Sequence, residues 1–146
     1  RTDGSLDREA LGALVFSDID ARRALEAIIH PVVYAAIERW FDGVARAGHA
    51  RAAVADIPLL FETGREHAFD VVVVAWCTPA LQRVRVMERD KLPAADAERR
   101  IASQMSIEEK AGRAHYAIDT GRSPEETARQ VHDVWNRIID ASPRPQ

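Results

Sequence analysis

The sequence holds a single cysteine, Cys77, so no internal disulfide staples the fold and folding does not depend on an oxidising compartment. No apolar run approaches the ~20 residues that span a bilayer, and no signal-peptide pattern opens the chain. The five histidines, His30, His49, His67, His115 and His132, show no metal-ligand spacing. No Ser-His-Asp or Cys-His signature stands out, and the glycine-rich phosphate loop G-x-x-x-x-G-K-[ST] occurs nowhere in the 146 residues. A net charge of -3 excludes binding to nucleic acid through overall positive charge, so any anion site has to come from local clustering. These absences make the cytoplasm the default location, with no membrane and no nucleic acid as partner.

What is present is a globular balance of 47% hydrophobic and 29% charged residues, in a length that suits one domain or a large part of one. The opening RTDGSL carries no initiator methionine, which leaves a fragment or a processed product as open readings.

Ser5 or Asp7 is expected to cap a first helix, and Asp18 or Asp20 a second. Leu25, Ile28, Ile29, Val32 and Val33 recur at helical spacing, but Pro31 is expected to end, kink or restart the helix. Residues 32–44 read as a further amphipathic helix with Val33, Ile37, Trp40 and Phe41 inward. Two valine-rich runs follow, RAAVADIPLL and FDVVVVAWCT, which read as buried parallel strands. Helices carrying arginines come next, then a short strand in HYAIDTG. The segment SPEETARQVHDVWNRII has Ser123 as cap, Pro124 at the first position and Glu126 three after the cap. The tail from residue 140 reads as disordered. Strands separated by helices argue for an α/β fold with a parallel sheet.

Ligands of open parallel sheets bind beyond the carboxyl ends of the strands. PLLFE, Cys77-Thr78-Pro79 and DTG follow the three expected strands and should open onto one edge. The chain has 18 arginines against two lysines. Arg85 and Arg89 stand at i and i+4, so they share a helix face just past a strand end. Planar guanidinium groups match phosphate oxygens bidentately. The competing reading is solvated helix charge, with Glu88, Asp90 and Glu98 as partners. His30, in AIIHPVV, is open to a packing role or a site role, and Cys77 reads as inert packing.

Taken in order, LGALVFSDIDARRALEAIIHPVV, VADIPLLFETG, DVVVVAWCTPALQRVRVMERD, RRIASQMSIEEKAGRAHYAIDTG and SPEETARQV resemble the dephospho-coenzyme A kinase family. The resemblance covers nearly the whole chain. It implies transfer of the γ-phosphate of ATP, with Mg2+, to the 3′-hydroxyl of the dephospho-CoA ribose. It also implies a three-layer P-loop kinase-type parallel sheet with a helical substrate domain and a helical lid.

Along residues 1–146 the family pattern implies a helical substrate-binding region at about 5–50 and core strands at 51–80. The lid and flanking helices would occupy 81–114, the last strand and C-terminal helix 115–139, and the tail 140–146. Carried over position by position, Arg85, Arg89 and Arg100 match the catalytic lid arginines. His30, Leu60, Phe61 and Glu62 match the substrate pocket. Gln104, Asp119, Thr120, Gly121 and Arg122 match the nucleotide side, although many members have Asn where Thr120 stands.

The departure from the family pattern is at the front. Members begin with a strand, a P-loop and a second strand ending in an acidic stretch, and none of these is in this sequence. The strand before the P-loop would lie between RAAVADIPLL and DVVVVAWCT. Without it, those two must pair directly or leave backbone groups unpaired, each at a cost of about 1–3 kcal/mol. The expectation is that these residues belong to a longer polypeptide, and that a chain starting at Arg1 neither binds ATP tightly nor turns over. Two other readings stay open. One is another P-loop kinase, acting on nucleoside monophosphates. The other is a non-catalytic α/β binding module that has lost its P-loop.

Overall fold

A computed structural model describes residues 5–141, divided into two compact units, Arg1–Ala55 and Asp56–Gln146. In the first unit, Asp7 caps helix α1 (Arg8–Ser17) by accepting from the Ala10 N–H at 3.1 Å. Asp18 caps helix α2 (Ile19–Ala47) by accepting from the N–H groups of Asp20 and Ala21 at 2.8 and 3.1 Å. Such carboxylates satisfy donors that the first helical turn leaves without partners. Gly48, at φ 68°, ends α2 in the left-handed conformation that a helix C-terminus favours.

The break expected at Pro31 does not occur, and α2 runs through it for 29 residues. Proline removes one donor from the ladder, and the turns on either side keep theirs. The expected inward face is also corrected. Of the four residues expected inward, Ile37 and Phe41 are half-buried but Val33 and Trp40 are 45% and 50% exposed, and Tyr34 is the buried residue of α2. A seam between two helices covers only one side of so long a helix.

The second unit is a parallel α/β arrangement. Strand β1 (Val73–Trp76) pairs directly with β2 (Tyr116–Asp119), from Val73 opposite Tyr116 to Trp76 opposite Asp119. Helices α3 (Pro79–Asp90), α4 (Ala94–Ala102) and α5 (Ile107–Arg113) make the crossover between them. Helix α6 (Pro124–Ala141) follows, started by the expected reciprocal cap. Ser123 Oγ accepts from the Glu126 N–H at 3.2 Å, and Glu126 Oε2 accepts from the Ser123 N–H at 3.3 Å. Asp140 and Ala141 are helical, so the expected tail starts later, and residues 142–146 lie outside the described residues.

Among the described residues two strands form where three were expected. Among the described residues no ladder partner meets 53–57, which stays irregular, and a strand without a partner cannot satisfy its backbone. The chain turns immediately afterwards, with the Thr63 N–H and Oγ1 donating to the Leu59 carbonyl at 3.1 and 2.8 Å. β1 is likewise not buried on both faces: Val74 is 9% exposed and Val73 39%. The covered face meets a cluster of Phe61, Val72 and Val74, packed by Phe69, Trp76, Met105 and Ile107. A two-stranded ladder is marginal alone. Each buried side chain here contributes about 1.5–3 kcal/mol, so this cluster and the flanking helices hold the sheet.

Candidate active site

The carboxyl ends of β1 and β2 lie side by side, because Trp76 and Asp119 are the last pair of the ladder. Thr120 extends the ladder by one step. Its N–H and its hydroxyl both donate to the Trp76 carbonyl, at 2.8 and 3.0 Å. On the other strand the chain passes through buried Cys77 into α3, where Thr78 Oγ1 accepts from the Leu81 N–H at 3.4 Å and Pro79 takes the first position. The ends of the second and third expected strands therefore do open onto one edge.

A cleft of about 830 Å³ lies at that edge. Arg85 and Arg89 from α3, Arg100 from α4, Gln104 just after it, and Cys77 and Pro58 line it. The arginine-rich stretch divides in two. Arg83 pairs with Glu98 at 2.8 Å and Arg99 pairs with Asp96, as solvated helix charge does. Arg85, Arg89 and Arg100 instead converge on the cleft. Arg85 is anchored to the loop after β2, with Nη1 donating to Thr120 Oγ1 at 2.9 Å and Nη2 to the Thr120 carbonyl at 2.6 Å. Arg89 donates Nε and Nη2 to the two oxygens of Asp90 at 2.8 and 2.9 Å, and Arg100 Nη1 reaches Asp90 Oδ2 at 2.9 Å. The Arg89 hydrogen bonds, with charge from both arginines, hold the Asp90 carboxyl below its usual range, and Asp90 raises Arg89 in turn.

Arg85 also borders a second groove, of about 780 Å³, with Thr120, Arg122, Pro124, His132 and Trp135. Its floor is a tight loop. Asp119 Oδ1 accepts from the Gly121 N–H at 2.8 Å, and Oδ2 from Arg122 Nε at 3.0 Å. The Gly121 hydrogen bond and then Arg122 hold the Asp119 carboxyl below its usual range. Gln130 fixes the same residue's main chain, accepting from its N–H at 2.9 Å and donating to its carbonyl at 3.0 Å. A Cβ at Gly121 would stand 3.0 Å from Asp119 Oδ1 and 3.4 Å from Leu81, so a larger residue fits only if those side chains give way by a few tenths of an ångström.

The remaining expected residues are placed as follows. His30 is in α2 of the first unit, with its ring edge-on to Tyr34 at 6.3 Å. Leu60 packs on the core cluster. Phe61 is 6% exposed beneath the Arg113 guanidinium, 5.0 Å from its ring centre, so it is a core residue rather than an open wall. Glu62 holds no lid arginine. Its Oε1 accepts from the Met105 N–H at 2.9 Å and pairs with Lys110 Nζ at 2.7 Å, while Lys110 also donates to the Pro58 carbonyl. Burial pushes the Glu62 carboxyl up, but the Lys110, Glu62 and Met105 donors bring it net below its usual value. Reading the sequence missed Lys110 as this partner, 48 residues away, and nothing local signals it.

Among the described residues, no group of three His, Cys, Asp or Glu side chains could hold a metal ion, and no helix is long and apolar enough to cross a membrane.

These carboxylates set an acid limit. Glu62, Asp90 and Asp119 each sit below their ordinary values of 4.5, 3.8 and 3.8, so the unfolded chain binds more protons than the folded one near those pH values. Their stabilisation is complete above pH ~5 and fades as pH falls through ~4. The melting temperature should be flat from pH 7 to 5 and drop below 4. Asp119→Asn should soften that drop, and a drop of unchanged depth in the variant would remove Asp119 from the explanation.

The dephospho-CoA kinase family model matches residues 1–125. The chain is 51% identical over 140 residues to the dephospho-CoA kinase of Cutibacterium acnes, covering 95% of this chain and 60% of that protein. With the dephospho-CoA kinase of Symbiobacterium thermophilum it shares 47% over 135 residues, covering 92% and 56%. It is also similar to the crystal structure of TT1252 from Thermus thermophilus, with a TM-score of 0.73, 34% identity and 92% and 68% coverage. With the dephospho-CoA kinase from Campylobacter jejuni the TM-score is 0.64 at 31% identity, covering 93% and 67%. The chain thus spans just over half the length of the two curated relatives. On the family match and these identities, the chain belongs to the dephospho-CoA kinase family.

Proposed function

We propose that this chain serves the transfer of the γ-phosphate of ATP to the 3′-hydroxyl of dephospho-CoA. The observation that supports this is the convergence of Arg85, Arg89 and Arg100, from two helices, on one cleft at the strand ends. Phosphoryl transfer asks a protein mainly for positioning and for neutralisation of charge on the moving group. No G-x-x-x-x-G-K-[ST] loop is among the 146 residues, so these three arginines are the phosphate ligands that this chain itself supplies. Closing α3 and α4 over the phosphates also excludes water, which otherwise accepts the phosphoryl group.

The groove beside Asp119, Thr120, Gly121 and Arg122 is the nucleotide side, with Gln104 at the cleft. Arg85, which borders both cavities, joins base and phosphate ends. Thr120 serves here by anchoring Arg85, whatever it offers the base. By family position, His30 of the first unit and Leu60, Phe61 and Glu62 of the second are each assigned to dephospho-CoA in this reading. In this reading Mg2+ would arrive on the ATP phosphates, which with one or two carboxylates usually hold it. ATP as substrate places the reaction in the cytoplasm.

A coupled ADP-release assay on the full-length protein tests the proposal. ADP should appear with ATP plus dephospho-CoA and not with ATP plus nucleoside monophosphates. The reverse pattern would replace the substrate, and absence of both ATP binding and turnover would leave a non-catalytic module.

A further inference from the structure

Asp90 is not on the wall of the arginine cleft, yet its carboxylate bonds two of the three arginines that are. Consecutive residues of a helix do not face each other. The contact between Arg89 and Asp90 forms in the last turn of α3, just before Lys91 ends the helix in the left-handed conformation, at φ 54° and ψ 40°. An anion at a helix C-terminus opposes the helix dipole, so Asp90 does not serve the stability of α3. It stands where Arg89 of α3 and Arg100 of α4 can both reach it.

We infer that Asp90 is a positioning residue, which holds the Arg89 and Arg100 guanidinium groups side by side as one preformed phosphate-binding unit. This rests on the phosphoryl-transfer reading. Two guanidinium groups on separate helices repel each other, and each sits on a long side chain that loses freedom when ordered. A carboxylate between them removes the repulsion and orders both before the phosphate arrives. Its bond to Arg89 uses two of five N–H donors, so the fork retains donors for a ligand.

Charge alone makes the opposite forecast. Removing a carboxylate beside arginines raises the local positive potential, so Asp90→Asn would bind ATP more tightly and turn over as before. Positioning forecasts that kcat for Asp90→Asn falls by about 10- to 100-fold, with KM for ATP unchanged or lower. Asp90→Glu should restore part of the loss. The loss should shrink when Arg89 is already alanine, since coupled residues are not additive. A kcat within twofold of wild type, or a loss fully additive with Arg89→Ala, overturns the inference.

A second measurement separates this failure from failure of the kinase reading. In NMR spectra the Arg89 Nε–H should exchange slowly in the wild type and rapidly in Asp90→Asn. Inorganic tripolyphosphate should shift the Arg89 and Arg100 signals together only when Asp90 is present. A wild type without kinase activity refutes the functional reading. Equal exchange and equal titration in the two proteins refute the positioning.

Discussion

Replacing Arg89 with alanine in the full-length protein lowers kcat with dephospho-CoA and ATP by about 10³-fold, while KM for ATP moves by only a few-fold. An arginine aimed at a transferring phosphoryl group gains most where negative charge is most developed, which is the transition state rather than bound ATP. Arg89 suits that use. It lies on the cleft with its side chain 70% exposed, and its side-chain hydrogen bonds go to Asp90. Alanine there removes no packing and unties no loop, so steady-state kinetics reads the lost charge. Arg85→Ala acts differently. It also severs both bonds to Thr120, so turnover falls together with the order of the loop after β2. Full turnover in Arg89→Ala would return this residue to the ordinary surface charge of α3.

Phe61→Ala should destabilise the second unit by about 3–5 kcal/mol, the range for removing a large buried ring. Phe61 is the centre of the cluster with Val72 and Val74 and is covered by Arg113. Arg113 also pairs with Glu66, so the ring supports an ion pair that ties α5 to the turn before β1. With only two strands in the ladder, few other contacts can compensate. Denaturant unfolding checks this. A loss below about 1 kcal/mol would show that Phe61 is a wall residue after all. Leu60→Ala, at a partly buried position, should cost less.

Much of the fold was legible because its signals are local. Asp7 and Asp18 each precede a helical run by one residue, and Ser123 and Glu126 cap each other across a single turn. The β1 and β2 runs stand out as short valine- or isoleucine-bearing segments between turns. The i, i+4 spacing of Arg85 and Arg89 placed them on one face, and the family resemblance added Arg100 and Gln104. The errors arose where the deciding partner is remote. Pro31 reads as a breaker, yet the rest of α2 continues through it. The strand expected at 53–57 has the right composition but meets no ladder partner among the described residues. Lys110, the partner of Glu62, escaped local reading for the same reason.

The sequence by itself determined the helices and their caps, the α/β order, the family, and the set of arginines from which a phosphate site can be built. Each follows from contacts within a few residues or from a pattern read along the chain. Only the tertiary structure decided which arginines act together. Arg83 and Arg99 lie within the same stretch as Arg85, Arg89 and Arg100, and linear spacing does not separate the two groups. The separation comes from the packing of α3 against α4, which puts Arg85, Arg89 and Arg100 on the wall of one cleft, the last two sharing Asp90, and leaves Arg83 and Arg99 off it. Asp90 shows the same limit most sharply. Adjacent in sequence, it should face away from Arg89, yet at the end of α3 its carboxylate binds both Arg89 and Arg100 of α4.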